Sequence, residues 1–228
     1  MSIGVFSVPL TIKKTNRAYI SKYVQWIESS GAEATVIPYD LPEAQLKTAL
    51  DAVKGLVLPG GAIENKETHT DAQRAAYWRS MRFAFEYAKA VNDAGRYFPV
   101  FGICLGLETL FILESGDHKL DDWPVFKFKH LSFSRNKSRL KQALPFMLLK
   151  KARAAPCVQH THKFGVKTRR LRRSMVAVST EGDYVNMLEF KKYPFYAVMW
   201  HPEKHKGGLS SIVAEAYSRF LYTETNKH

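Results

Sequence analysis

A cysteine between two glycines is the residue of this sequence best suited to act as a nucleophile. Cys104 lies in Gly-x-Cys-x-Gly, which follows the apolar segment 98–103 and opens a helical pattern at Leu105. A strand, a tight turn and a helix in this order predict a nucleophile elbow, where glycines flank the cysteine because side chains do not fit. The helix N-terminus should favour the thiolate and lower the pKa of the thiol. A buried structural cysteine is the alternative.

A histidine in the last quarter of the chain could provide the proton that a departing amine needs. His201 ends an apolar strand pattern, and Glu203 follows two residues later. In extended chain, residues two apart point to the same side, so the carboxylate can orient the imidazole and stabilise its charged form. Cys104, His201 and Glu203 are therefore the predicted catalytic residues of a cysteine hydrolase.

Two backbone N–H groups are expected to form an oxyanion hole. The N–H of Leu105 follows the nucleophile directly in the chain. A Pro-Gly-Gly turn after the strand pattern 55–58 should bring the N–H of Gly61 or Ala62 to the same edge of the sheet. A Gly-Gly pair usually marks only a turn, so its position at a strand end carries this prediction.

Short apolar strands and longer helical patterns alternate along the chain. Strands are predicted at 3–8, 34–38, 55–58 and 98–103, and helices at 18–30, 42–53, 68–94 and 105–114. After residue 117 the pattern loosens into loops and short elements, until strands at 175–179, 184–190 and 195–200 and a helix at 209–222. Such alternation implies right-handed crossovers. The predicted fold is α/β with three layers, a mostly parallel central sheet flanked by helices, in one domain over residues 1–228.

Composition is that of a soluble globular protein, with 46% hydrophobic and 24% charged residues among 228. No apolar run reaches the length of a membrane span. No signal peptide is visible, so the chain as given is expected to be cytoplasmic; a mature form could be lysosomal, vacuolar or secreted. Two cysteines do not suggest a disulfide framework. The predicted chemistry requires no metal or organic cofactor.

The net charge of +13 is concentrated in the segment 119–173, which holds 16 Lys or Arg and two acids. A field of this size attracts polyanions. A solvated basic surface, a nucleic acid and an acidic substrate are the three interpretations. The segment has no recognisable nucleic-acid motif, so nucleic acid is not the expected partner.

Together the motifs resemble the class I glutamine amidotransferase-like (flavodoxin-like) fold and, within it, the γ-glutamyl hydrolase family. The likeness extends from Ile3 to about Tyr222. It includes Leu-Pro-Gly-Gly at 58–61, Phe-Gly-Ile-Cys-Leu-Gly-Leu-Glu at 101–108 and Trp-His-Pro-Glu-Lys at 200–204. The combination of Gly-x-Cys-x-Gly with His-Pro-Glu is what makes the resemblance specific.

The resemblance implies a hydrolase of γ-glutamyl amide bonds, with the poly-γ-glutamate tail of a folate as the nearest substrate. Glutaminase domains typically carry Gln four residues after the cysteine, whereas this chain carries Glu108, as γ-glutamyl hydrolases do. The family likeness also implies that His162, Tyr23, Glu108 and Gly61 contribute to the substrate site, and that the chain forms a homodimer. As an alternative, His162 and the nearby His160 would be exposed loop histidines.

Two other functions stay open. One is a glutaminase or amidotransferase domain that provides ammonia to a synthase partner, against which Glu108 argues. The other is a non-catalytic protein that binds polyanions through its basic face. Intact Cys104, His201 and Glu203 argue against this second alternative.

Overall fold

The structure is a computed structural model that describes residues 2–9, 17–63 and 68–227. Its strands, in chain order, are β1 (Ser2–Phe6), β2 (Glu33–Ile37), β3 (Leu56–Leu58), β4 (Val100–Ile103), β5 (Asp121–Val125), β6 (Phe128–Lys129), β7 (Val158–Gln159), β8 (His162–Gly165), β9 (Met175–Glu181), β10 (Tyr184–Phe190) and β11 (Phe195–Val198). Its helices are α1 (Arg17–Glu28), α2 (Glu43–Asp51), α3 (Asp71–Asp93), α4 (Leu105–Ser115), α5 (Arg139–Gln142), α6 (Phe146–Ala154) and α7 (Gly208–Thr225). Short 3₁₀ turns cover Thr168–Arg170 and Pro202–Lys204.

Seven strands form the central sheet in the order β2-β1-β3-β4-β11-β10-β9. The first five are parallel to one another, and β10 and β9 continue the sheet in antiparallel fashion. The central strands β3, β4 and β11 are buried throughout, because helices cover both faces of the sheet. Helix α1 packs with α7, while α2 and α4 both pack with α3. The predicted α/β class with a mostly parallel sheet is confirmed.

Local sequence signals explain where the helices around the site begin and end. Thr70 forms a capping box with Gln73 at the start of the long helix α3. Helix α4 begins directly after Cys104 and ends at Gly116, which adopts the left-handed conformation that glycine tolerates best. Within the described residues, no helix has both the length and the apolar composition needed to cross a bilayer.

The segment between α4 and β9 is more regular than the sequence suggested. Strands β5 and β8 pair in one two-stranded antiparallel sheet, and β6 and β7 pair in another. Helix α6, which the sequence did not predict, has a weak apolar pattern and exposes 79% of Phe146. The prediction of short elements in this segment is correct for strands β5 to β8, whereas helix α6 was not predicted.

Candidate active site

Cys104 occupies a strained turn between β4 and α4. Its φ is 53° and its ψ −105°, and no other described residue except glycine has a positive φ. Such strain costs about 1–3 kcal/mol and persists where the surroundings impose it. A Cβ added to Gly106 would lie 2.2 Å from the carbonyl oxygen of Leu58, and one on Gly102 would lie 2.6 Å from the backbone of Gly106. The turn therefore has the geometry of a nucleophile elbow.

His201 follows β11, the strand next to β4 in the sheet. The two strands run parallel with Val198 opposite Ile103, so both end at the same edge. Nδ1 of His201 lies 2.7 Å from Oε1 of Glu203, and both side chains are buried. A hydrogen bond to a carboxylate requires the proton on Nδ1, which leaves Nε2 able to accept one.

The charge of Glu203 is maintained by this contact. Burial raises the pKa of the Glu203 carboxyl, but the charge and hydrogen bond of His201 outweigh burial and hold the pKa below its usual value. The carboxylate can therefore stay ionised in the interior and orient His201.

Gly60 lies against both predicted reacting residues. A Cβ built on Gly60 would be 2.8 Å from Cε1 of His201 and 3.1 Å from both Cβ of Cys104 and the hydroxyl oxygen of Tyr23. Cys104 and His201 thus both lie against the same glycine, and a side chain there would displace at least one of them. The backbone N–H of Gly60 donates to the hydroxyl of Tyr23. The next N–H, that of Gly61, remains the candidate for an oxyanion hole.

The thiol of Cys104 is protonated in the chain without substrate. Burial raises the pKa of the thiol well above its usual value, and Glu108 raises it further. The charge of Lys204 and the N–H of Leu105, which faces the sulfur, lower it but do not offset burial. The N–H of Leu105 at the helix N-terminus thus acts in the expected direction, but the predicted net lowering of the pKa is wrong because burial is the larger effect. A base must remove the proton when substrate is present.

A cavity of about 430 Å³ opens beside Cys104, within the usual size of small-molecule sites. Its lining residues come from the sheet edge with α4 and from the segment around β5 and β8: Gly61, Ala62, Ile63, Cys104, Leu105, Glu108, Leu120, Phe126, Thr161, His162, Lys163 and Phe164. Four predicted site residues besides the nucleophile thus meet here: Gly61, Leu105, Glu108 and His162. No group of three His, Cys, Asp or Glu side chains in the described ranges could hold a metal ion.

Tyr23 is not among the lining residues of this cavity. Its side chain is fully buried, and its hydroxyl accepts the backbone N–H of Gly60. The geometry therefore suits Tyr23 to support the turn rather than to contact substrate.

His160 is a neighbour of the site that sequence reasoning did not select. Both His160 and His162 are buried, so the alternative that they are exposed loop histidines is wrong. Nδ1 of His160 lies 2.9 Å from Nε2 of His162. In the sequence, only the two-residue spacing from His162 indicated that His160 is a neighbour of the site. The surrounding segment has no clear periodicity.

The basic segment 119–173 is largely remote from the cavity. Of its 16 basic side chains, only Lys163 lines the cavity. Others pair with acids: Lys129 with Glu181, Arg139 with Glu189, Lys167 with Asp121, and Arg170 with Asp117 and Asp121. Four of the sixteen cations thus have acidic partners, and the others, with Lys163 at the cavity, stay available for the interpretation as a binding surface.

The sequence of the whole site region matches one protein family. The model of the family "Peptidase C26" covers residues 7–203. The chain belongs to the peptidase C26 family. The matched range of this peptidase C26 chain includes the elbow at Cys104 and ends at Glu203, so it contains every predicted catalytic residue.

Curated relatives of this peptidase C26 chain agree with the resemblance seen in the motifs. Gamma-glutamyl hydrolase of Rattus norvegicus is 35% identical over 205 residues, covering 84% of this chain and 62% of the rat protein. Gamma-glutamyl hydrolase B of Dictyostelium discoideum is 28% identical, covering 99% and 72%. The chain thus spans less than two thirds of the length of the rat relative. The predicted family is confirmed.

A solved structure supports the fold independently. PurLQS from Thermotoga maritima contains a chain that superposes on the peptidase C26 chain with a TM-score of 0.65. The match covers 97% of this chain and 98% of the other at 16% sequence identity. At that identity the likeness concerns the glutamine amidotransferase-type fold alone.

Proposed function

We propose that this chain hydrolyses γ-glutamyl amide bonds through a thioester on Cys104. The observation that carries the proposal is that Cys104 and His201 both lie against Gly60, with His201 hydrogen-bonded to Glu203. The rat and Dictyostelium relatives bear the name gamma-glutamyl hydrolase, which fits this arrangement.

The first half of the reaction forms the acyl-enzyme. Nε2 of His201 takes the proton from the Cys104 thiol as sulfur attacks the γ-carbonyl carbon of a glutamyl unit. The carbonyl oxygen becomes an oxyanion and accepts hydrogen bonds from the N–H groups of Leu105 and Gly61. When the intermediate collapses, His201 returns the proton to the leaving nitrogen, the C–N bond breaks, and a thioester remains on Cys104.

The second half restores the enzyme. His201 removes a proton from water, whose oxygen attacks the thioester carbonyl within the same oxyanion hole. Collapse breaks the C–S bond, releases the glutamyl γ-carboxylate and returns the proton to sulfur. Glu203 stays ionised in both halves and stabilises the imidazolium that forms twice. None of these steps calls on a cofactor.

The cavity lining supports a γ-glutamyl substrate. The methylenes of a glutamyl side chain suit the apolar wall of Leu120, Phe126 and Phe164, and Lys163 can pair with an α-carboxylate. Glu108 lies close enough to raise the pKa of Cys104, so it faces the region of the scissile bond. We take the poly-γ-glutamate tail of a folate as the nearest substrate, because each unit repeats the same bond and the same carboxylate.

The test is cleavage of pteroyl-penta-γ-glutamate by the purified protein, with products resolved by chromatography and the acyl-enzyme sought by mass spectrometry. Shortened tails should appear with the wild type and with Cys157→Ala, a matched control that removes the other buried cysteine. Cys104→Ala should be inactive, and Glu203→Gln should lose about 10²–10⁴-fold in kcat.

Two results would overturn the proposal. Cleavage that survives Cys104→Ala would exclude the thioester. Rapid release of ammonia from free glutamine, with the pteroyl substrate left intact, would favour the glutaminase alternative instead.

A further inference from the structure

A pair of buried histidines forms part of the cavity wall. His160 is fully buried, His162 is 5% exposed and lines the cavity, and their rings share the hydrogen bond between Nδ1 of His160 and Nε2 of His162. Trp123 packs against both rings, with centroids 6.0 and 4.6 Å away. Trp123 in turn stacks on Tyr184 at 4.6 Å. The orientation of the pair is therefore fixed by packing as well as by the bond.

Both rings of the pair are neutral near pH 7. Burial, with the adjacent His162 and His201, lowers the pKa of His160 to about 3. Burial and His201 lower the pKa of His162 to about 4. Because neither ring is charged, one must donate the shared proton and the other must accept it. Because His160 and His162 are both held neutral, His201 is the imidazole among these three histidines that is assigned to take a proton during the proposed reaction.

Two backbone carbonyls favour one of the two tautomers of the pair. Those of Trp123 and Phe164 lie near the His162 ring and raise its pKa, because a carbonyl oxygen favours an N–H and disfavours a lone pair. Nε2 of His162 is directed at His160. A proton of neutral His162 on Nδ1, with His160 donating from its own Nδ1, is consistent with both observations.

We propose that His160 is a positioning residue that holds His162 in one orientation and in the Nδ1–H tautomer, so that the cavity wall presents a donor to an oxygen of the substrate. Nδ1 of His162 is buried and makes no hydrogen bond of good geometry with the described residues, so it can donate to a ligand. The identity of that ligand rests on the proposed γ-glutamyl function, whereas the tautomer does not.

The tautomer can be read directly from the ¹⁵N chemical shifts of the imidazole nitrogens. At pH 7, His162 of the wild type should show a protonated Nδ1 and a bare Nε2. His160→Leu removes the donor at similar volume and should shift His162 toward the Nε2–H form; His160→Asn keeps an N–H at the position of Nδ1 and should restore the wild-type pattern. A bare Nδ1 or a charged ring in the wild type overturns the proposal, even if no variant folds or no γ-glutamyl bond is cleaved.

Kinetics test whether the tautomer matters for binding. With pteroyl-penta-γ-glutamate, His160→Leu should raise KM about tenfold and leave kcat nearly unchanged, since one substrate hydrogen bond is lost. His160→Asn should recover the wild-type KM. His130→Asn, a change at an exposed histidine of the same segment, is the matched control and should have no effect. Equal KM in the Leu and Asn variants, or a loss confined to kcat, would contradict the role.

Discussion

The hydroxyl of Tyr23 accepts the backbone N–H of Gly60 at 3.0 Å, and this bond connects helix α1 to the turn that follows β3. The turn lies against both Cys104 and His201, so its position affects how the proposed nucleophile and base are arranged. We therefore expect Tyr23 to influence the geometry of the proposed reaction by holding this turn in place.

Removing that hydroxyl should impair catalysis while the ring keeps its packing. In Tyr23→Phe the Gly60 N–H loses a buried acceptor, which should lower the free energy of unfolding by about 1–3 kcal/mol. We expect kcat to fall about tenfold because the turn is no longer fixed. Steady-state kinetics and chemical denaturation measure the two effects. Tyr222→Phe, at a partly exposed tyrosine of α7, is the control; an unchanged kcat in Tyr23→Phe would contradict the role.

A methyl group at Gly60 should separate Cys104 from His201. Its Cβ would lie 2.8 Å from Cε1 of His201, which cannot move without weakening the bond to Glu203. We expect Gly60→Ala to lower kcat by about 10²-fold, the scale of a misplacement near 1 Å. The added Cβ of Gly61→Ala would meet only the flexible end of Leu105 at 3.0 Å. The loss of kcat in Gly61→Ala should therefore be clearly smaller than in Gly60→Ala. Equal losses of kcat in the two variants would contradict this explanation.

Recognition of an anionic tail should depend on Lys163 more than on the rest of the basic segment. Lys163→Gln removes the one cation of that segment that lines the cavity, and we expect KM for pteroyl-penta-γ-glutamate to rise about threefold to tenfold. Lys150→Gln alters a cation on α6, which does not line this cavity, and should leave KM unchanged. The comparison is made at low and at physiological salt. A larger rise in KM for Lys150→Gln than for Lys163→Gln would instead indicate that the broad basic surface binds the tail.

The paired histidines should make stability depend on pH. Their pKa values of about 3 and about 4 in the folded chain lie below the usual histidine value near 6.5. The unfolded chain therefore binds protons first as pH falls, so the stabilisation present above pH 6.5 is lost progressively below it. Between pH 6.5 and pH 5 we expect a loss of about 2 kcal/mol per histidine.

Urea denaturation at pH 7, 6 and 5 measures that loss. His160→Asn removes one titrating ring of the pair and should show a shallower decline than the wild type. If the free energy of unfolding falls equally with pH in the two proteins, His160 is protonated as readily in the folded chain as in the unfolded one, which would contradict the prediction.

The residues of the proposed chemistry could be predicted because their constraints are local. Gly-x-Cys-x-Gly after a buried strand leaves few conformations besides the elbow that Cys104 adopts. His201 and Glu203 are two residues apart, so their contact follows from the extended chain. The parallel sheet then brings the two strand ends to one edge, as the alternation of strands and helices predicts.

Other features depend on contacts between distant parts of the chain. The pKa of Cys104 rises because residues far away in sequence bury it, which outweighs the local effect of the helix N-terminus. His160 is buried by Trp123, which precedes it by 37 positions in an unperiodic segment. Lys129 pairs with Glu181, and that partner lies outside the basic segment. The single-domain extent, the homodimer and the compartment stay predictions.

The cavity has two walls of different origin, one from the sheet edge that presents Cys104 and Glu108, the other from the segment that contains Phe126, His162 and Lys163. The first wall holds the strained turn and the neighbouring strand ends, which tolerate little change. The second is built from small two-stranded sheets and connecting loops. On the proposed function, reactivity would depend mainly on the first wall and selectivity mainly on the second. New loops grafted onto the second wall would then be the route to another leaving group, provided that β7, whose Gln159 accepts the backbone N–H of His201, is kept.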